Sequence, residues 1–374
     1  MSNRPISDVD TPDPWMVAAQ GLFYLTFTLG DRIEIWASRE LENFRGCRKA
    51  TAWKPSPGSA WSTELWAPEL HYLRGTWYVY FCASQPGVGN RSHRTTVLRS
   101  ESQDPMDGAA WRFVGPLKGL PDHWNIDATV FRPNPAHDPD GLYCCYSGWP
   151  LGDSSDTQQD LFLMRLVTPE EALPSTLTVI SRAELPWERP DGGRRGVNEG
   201  PTWLSVPGWQ GIVYSANGSW TCDYKLALLR YTGGDPCSER SWEKRPSPLL
   251  ESHRGRGGPY GPGHASFLPS PYVGDARVFC IYHATERPDD GWRNRKARVL
   301  CMGPEWFHPN AKAVCCAAAP PPSVAPSAGQ YPGQHYGSNG PQEASAGAQS
   351  QHRQKRRSLV DKLGDKVMQK LAGR

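Results

Sequence analysis

The chain has 374 residues, of which 37 are Gly, 36 Pro and 16 Trp, and 21% are charged. One residue in five being a turn former, with aromatics where Ala, Glu and Leu would stand in a helical protein, excludes a coiled coil or long-helix bundle and points to many short strands. The net charge of +3 is too small for a broad nucleic-acid footprint. It is also uneven: residues 353–374 hold eight Lys or Arg against two acids, net +6, which leaves −3 on the rest.

Five segments repeat one pattern in chain order: a polar or acidic start, a short apolar stretch, a Gly-containing turn, then an aromatic-rich strand. The first runs from Asp13-Pro-Trp-Met-Val through Gly21 to a strand at 22–28, and the second from Glu69-Leu-His-Tyr-Leu through Gly75 to 76–84. The third runs from Asp127-Ala-Thr-Val-Phe through Gly141 to 142–149, and the fourth from Glu199-Gly-Pro-Thr-Trp-Leu through Gly211 to 212–217. The fifth runs from His264-Ala-Ser-Phe-Leu through Gly274 to 276–284. A further strand follows each, at 33–38, 95–100, 161–166, 225–231 and 297–302. The starts are 56, 58, 72 and 65 residues apart. A unit of about 60 residues with three or four short strands is the size of a propeller blade. The pattern predicts an all-β fold, a five-bladed β-propeller over residues 1–310; a β-sandwich with chance spacing is the alternative.

From residue 311 to 352 the chain is Ala, Pro, Gly, Ser and Gln with almost no aliphatics, and such a segment is expected to be a disordered linker. Beyond it, Leu359, Leu363, Val367 and Leu371 recur every four residues, which predicts a basic amphipathic helix over 353–374. Its two readings are a membrane-surface or partner-docking helix and a solvated tail.

The innermost strands of a propeller begin around one end of a central channel. The repeated first positions, Asp13, Glu69, Asp127, Glu199 and His264, are therefore expected to converge. Two carboxyls across one pocket can hydrolyse a glycosidic bond, one protonated and donating to the leaving oxygen, the other ionised and activating water. A third carboxylate beside the acid keeps it protonated, because like charges disfavour a second ionisation. Taken alone, Asp13 reads as a turn residue before Pro, and Glu199 as a loop closure beside Gly-Pro. Asp127 lies in an apolar stretch, where an acid is costly unless paired or used.

The segments Asp13-Pro-Trp, Trp66-Ala-Pro-Glu-Leu-His71, Ile126-Asp-Ala-Thr-Val-Phe131, Asn198-Glu-Gly-Pro201 and Gly261-Pro-Gly-His264 together resemble glycoside hydrolase family 43. The stretch from Tyr214 to Tyr224 resembles its α-L-arabinofuranosidase branch. The resemblance covers roughly residues 8–303 and implies a five-bladed propeller with an inverting mechanism. It makes Asp13 the general base, Glu199 the general acid and Asp127 the acid that tunes Glu199 and orients the sugar. It implies sugar contacts from Trp66, His71, Trp149 and Arg295, with Arg293 and Arg298 competing for the last role, and a structural part for Glu69. It brings a bound ion such as calcium, or a water, to His264, against the plainer reading of a hydrogen-bonded core histidine. No organic cofactor is implied.

The expected substrate is arabinan or arabinoxylan, cut at terminal α-L-arabinofuranosyl units by a monomeric enzyme. A β-xylosidase of the same family and a non-catalytic sugar-binding propeller are the alternatives. The family implies an extracellular site of action, whereas residues 1–30 have neither the positive start nor the small-residue cleavage site of a signal peptide, which leaves an intracellular one open. Two departures stand out. The segment after Arg295 is short for a closing element, and adjacent Cys144 and Cys145 occupy a strand, where they must face opposite sides.

Overall fold

The computed structural model describes residues 4–133, 138 and 140–315. Among these the chain forms strands, eight short 3-10 turns and no α-helix, so the all-β expectation holds. The expected linker from residue 316 onward and the expected helix over 353–374 lie outside the described residues.

The strands follow the repeat in chain order. The first group is β1 (Trp15–Ala19), β2 (Leu22–Thr26), β3 (Ile33–Ser38) and β4 (Arg48–Trp53); the second is β5 (Thr63–Leu73), β6 (Thr76–Ser84), β7 (Arg94–Ser100) and β8 (Trp111–Pro116). The third is β9 (Asn125–Phe131), β10 (Leu142–Gly148) and β11 (Gln158–Thr168), with β12 (Glu171–Ala172) and β13 (Thr178–Ser181) both pairing with β11. The fourth is β14 (Gly196–Val206), β15 (Trp209–Ala216), β16 (Lys225–Tyr231), β17 (Trp242–Lys244) and β18 (Leu250–Glu251). The fifth is β19 (Tyr260–Pro269), β20 (Val278–Thr285) and β21 (Lys296–Met302), followed by β22 (Val314–Cys315). Each group is an antiparallel meander. Groups three and four also join into one sheet, because Gln158 and Gln159 of β11 pair in parallel with Gly196 and Val197 of β14.

Burial explains why these strands read as continuous apolar runs rather than alternating ones. Every residue of β9, β10 and β20 is buried. Alternate side chains enter different cores: Phe279 and Ile281 pack with group one, whereas Val278, Cys280 and Tyr282 pack with group four. Cys144 and Cys145 likewise part, Cys144 toward group two and Cys145 toward group four. The five principal cores fill the spaces between groups one and two, two and three, three and four, four and five, and five and one. Each large apolar side chain buried in them contributes about 1.5–3 kcal/mol. The first strands follow the same order: β1 contacts β5, β5 contacts β9, β9 contacts β14, β14 contacts β19, and β19 returns to β1.

The closing segment that the sequence lacked after Arg295 comes from the other end. Ile6 N–H donates to Ala297 O (3.0 Å), Thr11 N–H to Arg295 O (2.8 Å) and Ala297 N–H to Thr11 Oγ1 (2.7 Å). Residues 6–11 thereby bind β21 to group one. The pairing of β22 with β18 is parallel and carries the strand pattern five residues past position 310.

Candidate active site

Each first strand carries an extra residue opposite its partner at a matching place, and β5 and β19 carry a second one nearer their start. Pro12 is bonded to Thr28 and Trp15 pairs with Thr26; Trp66 pairs with Cys82 and Glu69 with Tyr80; Ile126 pairs with Ser147 and Thr129 with Cys145. Glu199 pairs with Ser215 and Thr202 with Val213; Gly263 pairs with His283 and Ser266 with Ile281. In all five the first strand advances three residues while the second advances two, which is a β-bulge. The bulged residue is left-handed every time: Asp13 (φ 54°), Ala67 (46°), Asp127 (55°), Gly200 (52°) and His264 (46°). Four of these are not glycine, and non-glycine residues held in that region concentrate at functional sites.

This register corrects the expected equivalence of Asp13, Glu69, Asp127, Glu199 and His264. Glu69 stands two residues beyond its bulge and Glu199 one before its own, because the extra residue shifts the alternation that sequence spacing assumes. Glu199 shares its place with Pro12, Trp66 and Ile126, all of which line the same cavity.

The bulges are held by the neighbouring groups. Ala67 N–H donates to Thr28 Oγ1 (2.7 Å), His264 N–H to Ser215 Oγ (2.7 Å) and Asp13 N–H to His283 Nδ1 (2.9 Å), and Asp127 N–H faces the Cys82 sulfur. Each acceptor is the residue across the bulge of the preceding group. The fourth bulge differs: Gly200 N–H donates to Asp127 Oδ2 (3.0 Å).

A cavity of about 810 Å³ is lined by residues of all five groups, including Asp13, Asp127, Glu199 and His264. Asp13 Oδ2 accepts from Thr28 Oγ1 (2.6 Å), and Asp13 Oδ1 lies 3.2 Å from His264 Nδ1 and 3.5 Å from His283 Nδ1. Burial alone would raise Asp13, but His264 foremost, with Thr28, outweighs it and holds the carboxyl well below the usual carboxylate range. Burial would lower His264; Asp13 and Asp127 outweigh that and lift it to about 10, so it is a cation at neutral pH. Burial pushes Glu199 upward, and the charge of Asp127 adds to this, against hydrogen bonds from Tyr224 and Gln159; the result is about 7. Gln159 Nε2 donates to Glu199 Oε2 at 3.0 Å. Asp127 is itself raised, by burial first and then by Asp13, against the pull of His264.

Of the expected sugar contacts, Trp66 and Arg295 line the cavity. Trp66 stacks on His93 with ring centres 3.9 Å apart. Arg295 is separated from its competitors: its guanidinium is held by Ser219 O and Gly291 O and lies beside His283 Nε2 (3.0 Å), whereas Arg298 pairs with Glu286 and Arg293 is exposed. His71 and Trp149 are corrections, since neither lines the cavity. His71 is fully buried, packs on Trp15 (4.7 Å) and shares a hydrogen bond with Glu69 Oε2 (2.8 Å). Burial lowers His71 to about 3 and raises Glu69, which makes a neutral structural pair under the cavity wall. Trp149 stands behind Trp124, which is the ring that faces the cavity (4.8 Å, 9° between planes). His264 does not fit a protein-held cation: its Nδ1 is engaged by Asp13, and among the described residues no group of three or more His, Cys, Asp or Glu is arranged to hold a metal.

Sequence spacing missed Gln159, Ser215 and His283, which come from second and third strands, and Thr28 and Tyr224, which stand at the ends of such strands. It also missed the rim, where Trp220 and Trp292 meet edge to face (5.9 Å) and Arg195 bridges Asp156 and Asp191. One signal was present: a lone polar residue inside an apolar run, such as Ser215 in Val-Tyr-Ser-Ala or His283 in Ile-Tyr-His-Ala, is costly unless it has a partner.

The family model described as Glycosyl hydrolases family 43 matches residues 2–305. A protein of Streptomyces avermitilis named extracellular exo-α-(1→5)-L-arabinofuranosidase is 30% identical over 258 residues, 67% of this chain and 50% of that protein. One of the same name from Streptomyces chartreusis is 30% identical over 272 residues, 71% of this chain and 77% of that protein. The chain thus spans about half the length of the first and about three quarters of the second. The crystal structure of an α-L-arabinofuranosidase from Lactobacillus brevis is 26% identical and superposes with a TM-score of 0.71 over 84% of this chain and 98% of that one. A thermostable family-43 glycoside hydrolase shares the fold, with a TM-score of 0.66 at 20% identity over 80% of this chain and 92% of that one.

Proposed function

The chain belongs to glycosyl hydrolase family 43, and from that membership we propose that it hydrolyses terminal α-L-arabinofuranosyl units of arabinan or arabinoxylan with inversion, on a five-bladed propeller. Five cores between five strand groups, and first strands that touch in cyclic order, support the propeller. The observation that carries the function is one cavity holding two carboxyls in opposite environments. Asp13 is kept ionised by the His264 cation foremost and by the Thr28 hydroxyl, and Glu199 is kept protonated by burial and by Asp127.

In the reaction, the C–O bond from the anomeric carbon to the leaving sugar breaks as Glu199 gives its proton to the departing oxygen. Asp13 takes a proton from the water that attacks the opposite face of the same carbon. The His264 cation lowers the energy of the Asp13 carboxylate before the step and limits how strong a base it is. Arg295 adds positive charge to the cavity wall, and Trp66, Trp124, Trp220 and Trp292 supply faces on which sugar rings can stack. No organic cofactor enters. The Streptomyces relatives are named extracellular, and that location suits a polysaccharide substrate.

The test is a product assay on linear arabinan, branched arabinan and arabinoxylan, with NMR of the first-formed sugar. Arabinose released initially as the β-anomer is expected. Xylose release from xylo-oligosaccharides without arabinose would make the chain a β-xylosidase, and binding without turnover would make it a lectin.

A further inference from the structure

Glu199 presents two chemically distinct oxygens once it is protonated: one carries the hydrogen and the other can only accept. Transfer to the leaving oxygen requires the hydrogen on the oxygen that faces it. The polar contacts around Glu199 decide which oxygen that is, starting from the backbone carbonyl of the preceding residue.

Ser147 Oγ lies 2.8 Å from Asn198 O. A carbonyl only accepts, so the single Ser147 proton is donated there. The side-chain amide of Gln159 ends 3.3 Å from the same Ser147 Oγ. With the Ser147 proton already engaged, that contact is a hydrogen bond only if the NH2 of Gln159 faces Ser147. The orientation of the Gln159 amide is thereby fixed by its surroundings. The same NH2 group lies 3.0 Å from Glu199 Oε2. Oε2 is therefore the accepting oxygen, and the transferable hydrogen is left to Oε1.

Both ends of this chain of contacts are anchored. Asn198 Nδ2 donates to Glu188 Oε1 (3.0 Å), and Ser181 Oγ donates to Asn198 Oδ1 (2.7 Å). Glu188 is fully buried and receives Lys244 Nζ at 2.8 Å and Tyr214 OH at 2.8 Å. Gln159 stands where β11 pairs in parallel with β14, directly against Val197, two residues before Glu199. This parallel pairing of two strands from neighbouring groups lies beside the proposed acid.

We propose that Gln159 is a positioning residue for the reaction: held by Ser147, its amide marks Glu199 Oε2 as the acceptor and so leaves the transferable proton on Oε1. The proposal rests on the reading of Glu199 as general acid. The other charged or titratable groups facing Glu199 are Asp127, Tyr224, His264 and Arg295, and all are unchanged in the variants that test it.

The experiment compares Gln159→Met and Ser147→Ala with the unaltered chain on two substrates, an α-1,5-linked arabino-oligosaccharide and 4-nitrophenyl α-L-arabinofuranoside, each across the pH range. An alkoxide leaving group needs the proton and nitrophenolate hardly does. Gln159→Met is expected to lower kcat/KM on the oligosaccharide by about ten- to a hundredfold and on the nitrophenyl substrate by only a few-fold. Its alkaline limb should move to higher pH, because a donor that favours the ionised form has been removed. Ser147→Ala, which frees the amide to turn, should show the same split at smaller size, and it serves as the test should Gln159→Met not fold. Equal losses on both substrates, or an unmoved or lowered alkaline limb, would overturn the role of Gln159. Absence of a leaving-group split in Glu199→Gln itself would overturn the reading of Glu199, and the Gln159 proposal with it.

Discussion

The seam between groups five and one and the seam between groups three and four hold their bulges by different means. At the first, the bulge N–H of Asp13 goes to a neutral imidazole, His283, and the Asp13 carboxylate meets a second, charged imidazole and a hydroxyl. At the second, the bulge residue is Gly200, its N–H goes to the Asp127 carboxylate, and the neighbouring acid meets that carboxylate and an amide. Gly200 also leaves room for His264, whose ring is 3.1 Å from where a Cβ would stand. One backbone device, used at both seams, surrounds one acid with donors and cations and the other with an anion. The same residue class is ionised at one seam and protonated at the other, and the strand framework need not differ for this to happen.

The largest effect should come from the ionised side. Asp13→Asn removes the base, and kcat should fall by at least about 10²–10⁴, equally for arabino-oligosaccharides and for 4-nitrophenyl arabinofuranoside, measured by steady-state kinetics. A loss confined to the oligosaccharide would give Asp13 the wrong role. Glu199→Gln should come next, with a similar loss on oligosaccharides and a much smaller one on the nitrophenyl substrate.

A shift in pH profile should be smaller but sharper. Activity needs Asp13 ionised and Glu199 protonated. With Asp13 held below the usual range and Glu199 at about 7, kcat/KM should stay level through mildly acidic pH and fall as pH rises through neutrality. Asp127→Asn removes the charge that disfavours ionisation of Glu199, so the falling limb should move to lower pH. A limb that moves to higher pH would contradict the proposed tuning.

How much of this was legible beforehand follows from periodicity. The hairpins and third strands were legible because both faces of each sheet are buried, which leaves long apolar runs between turns. β6 and β16 occupy the expected residues 76–84 and 225–231. The three acids were legible because each interrupts such a run or adjoins Gly-Pro. The bulges were not, since one extra residue leaves no mark on composition, and so Glu69 was aligned where Ala67 stands. The choice of Arg295 over Arg293 and Arg298 depends on carbonyls from Ser219 and Gly291, which spacing does not reveal. The closing contact by residues 6–11 joins segments nearly 290 positions apart, beyond any local pattern.

The smallest effect concerns the far end. A chain ending at Asn310 loses β22 and the donation of Val314 N–H to Leu249 O (3.0 Å). With about 1 kcal/mol per lost backbone hydrogen bond, it should melt roughly 2–4 °C lower than one ending at Cys315, with kcat unchanged. Unfolding of both would show that residues beyond 315 are needed.

The most direct test of the contrast between the seams is a carboxyl-carbon NMR titration of protein labelled at Asp and Glu, with Asp13→Asn and Glu199→Gln used to assign the two signals. Asp13 should remain ionised to well below the usual carboxylate range, while Glu199 should titrate near neutral pH. Both groups titrating together in the ordinary range, or Asp13 taking up its proton before Glu199 as pH falls, would contradict the account.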